Sequence, residues 1–275
     1  MCRHIAALGP PLPLGELLIA PEHGLLRQSW APRRQRHGTV NADGFGVGWY
    51  ADGDPVPARY RRAGPIWGDL SFADLARVVR SRAVLAAVRD ATLAGADGEA
   101  AAAPFAGGPW LFSHNGAVSG WPGSLAPLVR TLPADELLSL EARSDSALLW
   151  ALVLRRLRDG DGPGQALADT VREVAEAAPG SRLNFLLTDG ETIAATAWGD
   201  SLWSLAEPVE PVESVKSAAS AAPVVSGPAA ATGPRIVVAS EPYDDDPRWR
   251  EAPDRTLLVA GRADVLLSPL KEPAL

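Results

Sequence analysis

The only cysteine in this 275-residue chain is Cys2, directly behind the initiator methionine. A side chain this small favours removal of Met1, which would leave a thiol and a free α-amine on one residue. That pair is a nucleophile with its own base: the amine takes the thiol proton and the thiolate attacks a carbonyl. The unperturbed values, about 8.5 for the thiol and roughly 7.7–8.0 for the amine, leave part of the amine unprotonated near neutral pH. The other reading of Cys2 is a small apolar residue opening a buried strand.

Three more positions could serve the same chemistry. Ser113-His114-Asn115-Gly116 follows the apolar run Trp110-Leu111-Phe112. An Asn-Gly pair ending a strand reads as a turn. It equally offers a side-chain amide (Asn115) and a backbone N–H (Gly116) to a tetrahedral oxyanion. Arg89 ends the strand-like run Val84 to Val88, either as a rim arginine or as a two-pronged clamp on a carboxylate. Asp145 falls in a helix first turn, where it suits the helix dipole or could face a substrate ammonium. Nucleophile, oxyanion donors, carboxylate clamp and ammonium anchor together describe a site for a glutamyl group. A Cys2–His4 dyad is another arrangement, since residues two apart share a strand face.

Positioning these residues calls for mostly short strands. Candidate strands run over Ile5–Leu8, Phe45–Tyr50, Ala58–Arg61, Val84–Val88, Trp110–Phe112, Leu183–Thr188, Thr192–Ala197, Arg235–Ser240 and Thr256–Val259. Helices are expected near Phe72–Val79, over Asp145–Arg158 with Ser144 as N-cap, and over Gln165–Ala177. Strands, then helices, then strands suggest antiparallel sheets with helices outside. Gly95–Gly108 reads as a loop of low information. Residues 206–234 are rich in Pro, Ala and Ser and read as a disordered insertion in a single domain spanning 1–275. The glycines of Phe45-Gly46-Val47-Gly48 precede a turn and not a helix, which excludes a dinucleotide loop; they point to close backbone approach, under a substrate or otherwise.

Composition narrows the partners. With 26 basic and 33 acidic residues the net charge is -7, which argues against nucleic acid and anionic membranes. No apolar run nears the roughly 20 residues of a membrane span. A single cysteine excludes an internal disulfide, and no signal peptide is visible, so a cytoplasmic location is expected. His4, His23, His37 and His114 lack metal-ligand spacing, so neither a metal nor a cofactor is expected.

The ordered set Met1-Cys2-Arg3, Asn41–Tyr50 (NADGFGVGWY), Val88–Thr92 (VRDAT), Ser113–Gly116 (SHNG), Ser144–Ser146 (SDS), Leu183–Gly190 (LNFLLTDG) and Ser240–Tyr243 (SEPY) resembles the class II glutamine amidotransferases of the N-terminal nucleophile hydrolase superfamily. The resemblance spans nearly the whole chain outside 206–234. It implies an α+β fold, a four-layer αββα sandwich of two antiparallel sheets. It also implies Cys2 as nucleophile, Asn115 and Gly116 as oxyanion hole, Arg89 on the glutamyl carboxylate and Asp145 on its amine. His114 and Trp30 join them as expected substrate-binding residues. Ala87 departs from the pattern, for many relatives carry histidine two residues before the arginine. Within the superfamily, Gln28–Arg33, Asn41–Tyr50, Val88–Thr92 and Ser240–Trp249 are most similar to the amidohydrolases of ergothioneine biosynthesis. Those enzymes remove glutamate from γ-glutamyl-hercynylcysteine sulfoxide, whose trimethylammonium suits an aromatic face such as Trp30 or Trp249. A small-molecule γ-glutamyl substrate is therefore expected, with any protein partner left open. The alternatives are a glutaminase subunit supplying ammonia to a separate synthetase and an inactive glutamyl-binding module.

Overall fold

Strand β1 (Cys2–Pro13) shows how the layers arise. Ile5 and Ala7 point into one apolar cluster, Ala6 and Leu8 into another, so both faces of this strand are covered. The structure, a computed structural model, describes residues 2–91, 98–207, 233–262 and 264–270.

The first sheet has the order β11 (Arg250–Glu251), β9 (Trp203–Glu207), β10 (Arg235–Ala239), β1, β4 (Arg80–Arg89), β2 (Phe45–Trp49) and β3 (Ala58–Arg62). The second runs β13 (Val265–Pro269), β12 (Thr256–Ala260), β8 (Ile193–Ala197), β7 (Arg182–Thr188), β6 (Trp110–Ala117) and β5 (Phe105–Gly107). Every pairing in both sheets is antiparallel. Between the sheets lie Leu8, Leu85 and Val238 from one side and Leu111, Leu186 and Leu258 from the other. Helices α1 (Leu14–Leu18), α2 (Leu25–Gln28) and α3 (Leu70–Val78) pack on the outer face of the first sheet, around Phe45 and Phe72. The short α4 (Ala126–Val129) and α5 (Ala134–Leu138) lead to α6 (Asp145–Arg158) and α7 (Pro163–Ala177), which cover the second sheet. Three apolar clusters between four layers make the αββα sandwich.

Local chemistry sets the ends of α6. Ser144 Oγ accepts the Ala147 N–H at 3.3 Å, Asp145 lies in the first turn, and Arg155, Arg156 and Arg158 lie in the last. Each charge complements the helix dipole. The inward stripe Leu148, Leu149, Leu152 and Val153 is buried. Each such side chain contributes roughly 1.5–3 kcal/mol of burial.

Several sequence expectations change. The Asn115-Gly116 pair is not a turn: β6 runs through both to Ala117 because β7 pairs with it that far. The stretch read as an uninformative loop supplies a 3-10 turn at Gly98–Ala101 and strand β5, while 95–97 lie outside the described residues. In the expected insertion, Ala206 and Glu207 belong to β9, whose Glu207 pairs with Arg235 of β10. Residues 208–232 lie outside the described residues. The β2 glycines do permit close approach, but to the protein itself. A Cβ on Gly46 would collide with the Ala103 carbonyl, and one on Gly48 would lie 2.6 Å from Leu111 Cδ1.

Candidate active site

Register on the first sheet places Cys2 directly opposite Arg89, with both side chains on the face turned toward the second sheet. Two residues along, His4 faces Ala87. The Arg89 guanidinium donates to the Asp43 carbonyl at 3.3 Å, and the Arg89 N–H donates to the Gly44 carbonyl at 2.8 Å. The NADG loop thus holds the end of β4.

Strand β6 supplies the opposite wall. The Cys2 N–H donates to Asn115 Oδ1 at 3.2 Å, while Asn115 Nδ2 is buried with no hydrogen-bond partner among the described residues. A buried donor without an acceptor is costly unless something else meets it. The backbone adds a second donor. Leu183, paired with Gly116, donates its N–H to Trp198 O at 2.8 Å and its carbonyl accepts from the Thr196 hydroxyl at 2.6 Å, both on the β8 side. The Gly116 N–H therefore points to the other edge of β6, where β5 pairs only as far as Phe112. Glycine is required there, since a Cβ would collide with the Arg182 carbonyl.

Asp145 enters from the start of α6. Its Oδ2 accepts the Val118 N–H at 3.0 Å and its Oδ1 accepts the Ser146 N–H at 2.8 Å. A cavity of about 220 Å³ is lined by Cys2, Arg89, Gly116, Trp121, Arg143 and Asp145, among others. It is smaller than the roughly 300–1,000 Å³ of drug-sized pockets, on the scale of an amino-acid group. Burial pushes the Cys2 thiol above its ordinary range; the positive amino terminus, Arg89 and the Asp90 backbone N–H pull the other way.

Three of the expected residues do not line this cavity: Asn115 meets the site through its bond to Cys2, while His114 and Trp30 are turned to other partners. Along β6 the side chains alternate, so Asn115 faces Cys2 and His114 faces the helix layer. His114 Nε2 donates to the Arg182 carbonyl at 3.0 Å, which leaves Nδ1 to accept from Ser146 Oγ at 3.0 Å. Burial depresses its basicity, in keeping with a neutral ring. Trp30 packs edge-on against Trp67 with Arg27 over its face. Trp249 is core, its indole N–H bonded to Asp244 at 2.7 Å. Sequence reasoning missed Trp121 and Arg143. The only local signal was their nearness to the SHNG and SDS motifs.

The SEPY segment braces the region from behind. Ser240 Oγ accepts the His4 N–H at 3.0 Å, and the buried Glu241 carboxylate accepts the N–H groups of Arg33 and Arg34 at 2.9 and 2.7 Å. Elsewhere, Glu22, His23 and Asp245 cluster within 4.8 Å at the surface, but Asp245 is already paired with Arg33 at 2.8 Å. Among the described residues no helix is long and apolar enough to cross a membrane.

With this geometry in hand, comparison with known proteins is decisive on one point. The family model for class-II glutamine amidotransferases matches residues 25–273. The chain belongs to that family. Across 270 residues it is 42% identical to the gamma-glutamyl-hercynylcysteine sulfoxide hydrolase of Mycolicibacterium smegmatis, covering 98% of this chain and 100% of that protein. The Mycobacterium tuberculosis protein of the same description is 39% identical over 98% and 97% of the two chains. Among solved structures, a class-II domain protein from Silicibacter pomeroyi superposes with a TM-score of 0.63 at 22% identity, covering 98% and 100% of the two chains. The glutamine phosphoribosylpyrophosphate amidotransferase of B. subtilis superposes with a TM-score of 0.56 at 15% identity; 98% of this chain is covered and 49% of that one. Both likenesses support the sandwich fold of the amidotransferase family.

Proposed function

We propose that this chain is an amidohydrolase that releases glutamate from γ-glutamyl-hercynylcysteine sulfoxide, with Cys2 as the nucleophile. The observation that carries the reading is the convergence of Cys2, Arg89, Asn115, Gly116 and Asp145 from two sheets and a helix at one site. The full-length similarity to hydrolases of that description supports the substrate.

In this reading Met1 is removed and the Cys2 α-amine, acting through a water molecule, takes the thiol proton. Arg89 binds the glutamyl carboxylate and Asp145 its ammonium. The thiolate attacks the γ-carbonyl, and Asn115 Nδ2 with the Gly116 N–H receives the oxyanion. Collapse breaks the C–N bond, and the protonated α-amine gives its proton to the departing nitrogen. Water, deprotonated by the same amine, then opens the thioester, releasing glutamate and restoring the thiol. Trp121, the aromatic residue on the cavity wall, replaces Trp30 as the surface available to the substrate's trimethylammonium.

The test combines intact mass with turnover. The expected mature protein lacks Met1, takes up one 6-diazo-5-oxo-norleucine adduct on Cys2, and releases glutamate from the sulfoxide conjugate. Cys2→Ala is expected to lose all turnover. Hydrolysis persisting in Cys2→Ala would exclude the mechanism.

A further inference from the structure

The apolar layer between the sheets gives way to polar side chains at the end where the site lies. Along β1 the side chains facing the second sheet are Cys2, His4, Ala6 and Leu8; along β6 those facing the first are Asn115, Ser113 and Leu111. Two polar rungs cross between the sheets there. The Cys2 N–H donates to Asn115 Oδ1 at 3.2 Å, and a hydrogen bond of 3.1 Å joins His4 Nδ1 and Ser113 Oγ. The rungs are two residues apart on both strands, a spacing of roughly 6–7 Å. His4 is also fixed to its own sheet. Its N–H donates to Ser240 Oγ at 3.0 Å, and its carbonyl accepts the Ser240 N–H at 2.9 Å. Its Nε2 is buried with no hydrogen-bond partner among the described residues, so the bond to Ser113 is the one that orients the ring. With Nδ1 turned to Ser113, and burial reinforced by Arg3 and His114 lowering it to about 3, the ring is a poor base for the thiol. A buried polar pair also adds little stability, since two apolar groups of the same shape serve nearly as well. What it adds is direction. Leu8 can slide against Leu111, whereas the His4–Ser113 bond forms at only one offset of β1 on β6.

We infer that His4 and Ser113 are positioning residues: their bond sets the offset of β1 on β6 that brings the Cys2 amine to Asn115. This rests on the amidohydrolase reading above and deepens it. One Asn115 amide meets the Cys2 nitrogen through Oδ1 and serves the oxyanion through Nδ2. A slip of β1 therefore disturbs the base and the oxyanion donor together. A misplacement of about 1 Å can cost on the order of 10²-fold in rate. Arg89 and Asp145 are held by other elements, the NADG loop and the start of α6, so glutamyl binding suffers less.

The experiment follows glutamate release from γ-glutamyl-hercynylcysteine sulfoxide across pH in wild type, His4→Gln, His4→Asn, Ser113→Ala and the double variant His4→Leu with Ser113→Ala. His4→Gln and Ser113→Ala are expected to lower kcat roughly 10- to 100-fold, with a smaller change in KM. Asn115 Oδ1 favours the protonated amine, so the limb of kcat/KM set by that amine should move to lower pH as the contact weakens. The expected shift is about half a unit to one unit, the worth of one hydrogen bond. Arg89 and Asp145, whose charges also act on Cys2, are unchanged in every variant. Asparagine carries its amide where imidazole carries Nδ1, so His4→Asn should recover most of the rate. The double variant should melt near wild type yet be no slower than the single variants. Unchanged kcat and pH limb in both His4→Gln and Ser113→Ala, or a double variant as fast as wild type, overturn the positioning role and leave the amidohydrolase reading standing. A rate loss no larger than the loss of folded protein does the same. A pH limb missing from every His4 variant makes His4 the base and overturns both the positioning role and the α-amine mechanism. Wild-type protein that releases no glutamate overturns the amidohydrolase reading and the positioning role with it.

Discussion

At the scale of single residues, Asn115 has two roles at opposite ends of one amide. Its Oδ1 fixes the Cys2 N–H, while its buried Nδ2 has no partner among the described residues. A donor held without an acceptor is what preorganised stabilisation of an oxyanion needs, because little reorganisation remains when charge develops. Asn115→Ala is expected to lower kcat by roughly 10²–10³ with little change in KM. Steady-state glutamate release measures it, and an unchanged kcat would remove Asn115 from the oxyanion hole. His114 illustrates the opposite case. It stands beside Asn115 in sequence, yet the pleat of β6 sends it to the helix layer, where it ties β6 to Ser146 and the Arg182 carbonyl.

At the scale of elements, the site exists because β6 outruns β5. Past Phe112 its outer edge has no strand partner among the described residues, and Gly116 lets the opposite edge stay close against β7. Gly116→Ala would force a Cβ against the Arg182 carbonyl and the His114 ring and push the two strands apart. The expected cost is about 1–3 kcal/mol in urea unfolding, with activity reduced beyond what the stability loss explains. A variant as stable and active as wild type would show that β6 can shift at no cost. The start of α6 is the second positioning element. Its cap orders Ser144, and the extended residue before the helix sets Arg143 and Asp145 side by side.

At the scale of the whole molecule, buried histidines link stability to acid. Burial lowers His4 from its ordinary 6.5 to about 3, with Arg3 and His114 adding to the effect, and burial depresses His114 in the same sense. Below pH 6.5 the unfolded chain takes up protons that these folded rings refuse. The His4 contribution is therefore whole above that pH and is lost as pH falls toward 3, and that of His114 is lost in the same direction. Asp200, whose carboxyl burial pushes up, works the opposite way, so a variant isolates the effect better than the raw slope. His4→Gln is expected to be less stable at pH 7, through loss of the 3.1 Å contact with Ser113 Oγ. Its thermal midpoint should fall less than wild type's between pH 6.5 and 4. Equal slopes would mean that His4 titrates normally. Because the two sheets share the middle apolar cluster, one cooperative transition is expected in each scan.

The sequence by itself pointed to the residues proposed to carry the chemistry. Cys2, Arg89, Asn115, Gly116 and Asp145 sit in short ordered motifs that resemble those of the class II amidotransferases, and the alternation of apolar residues specified strands under helices. The α6 span and its Ser144 cap were legible because both are local. Other features were settled only by distant segments meeting. The extension of β6 through an Asn-Gly pair depends on β7, some 70 residues away, and overrides turn propensity. The orientation of His114 depends on that register, the withdrawal of Trp30 on Trp67 and Arg27, and the β2 glycines on Ala103 and Leu111. The cavity wall of Trp121 and Arg143 forms where the segment after β6 meets the segment before α6. Spacing along a chain specifies what a residue can do; only the packing of two sheets decides which residues face the same few ångströms of space.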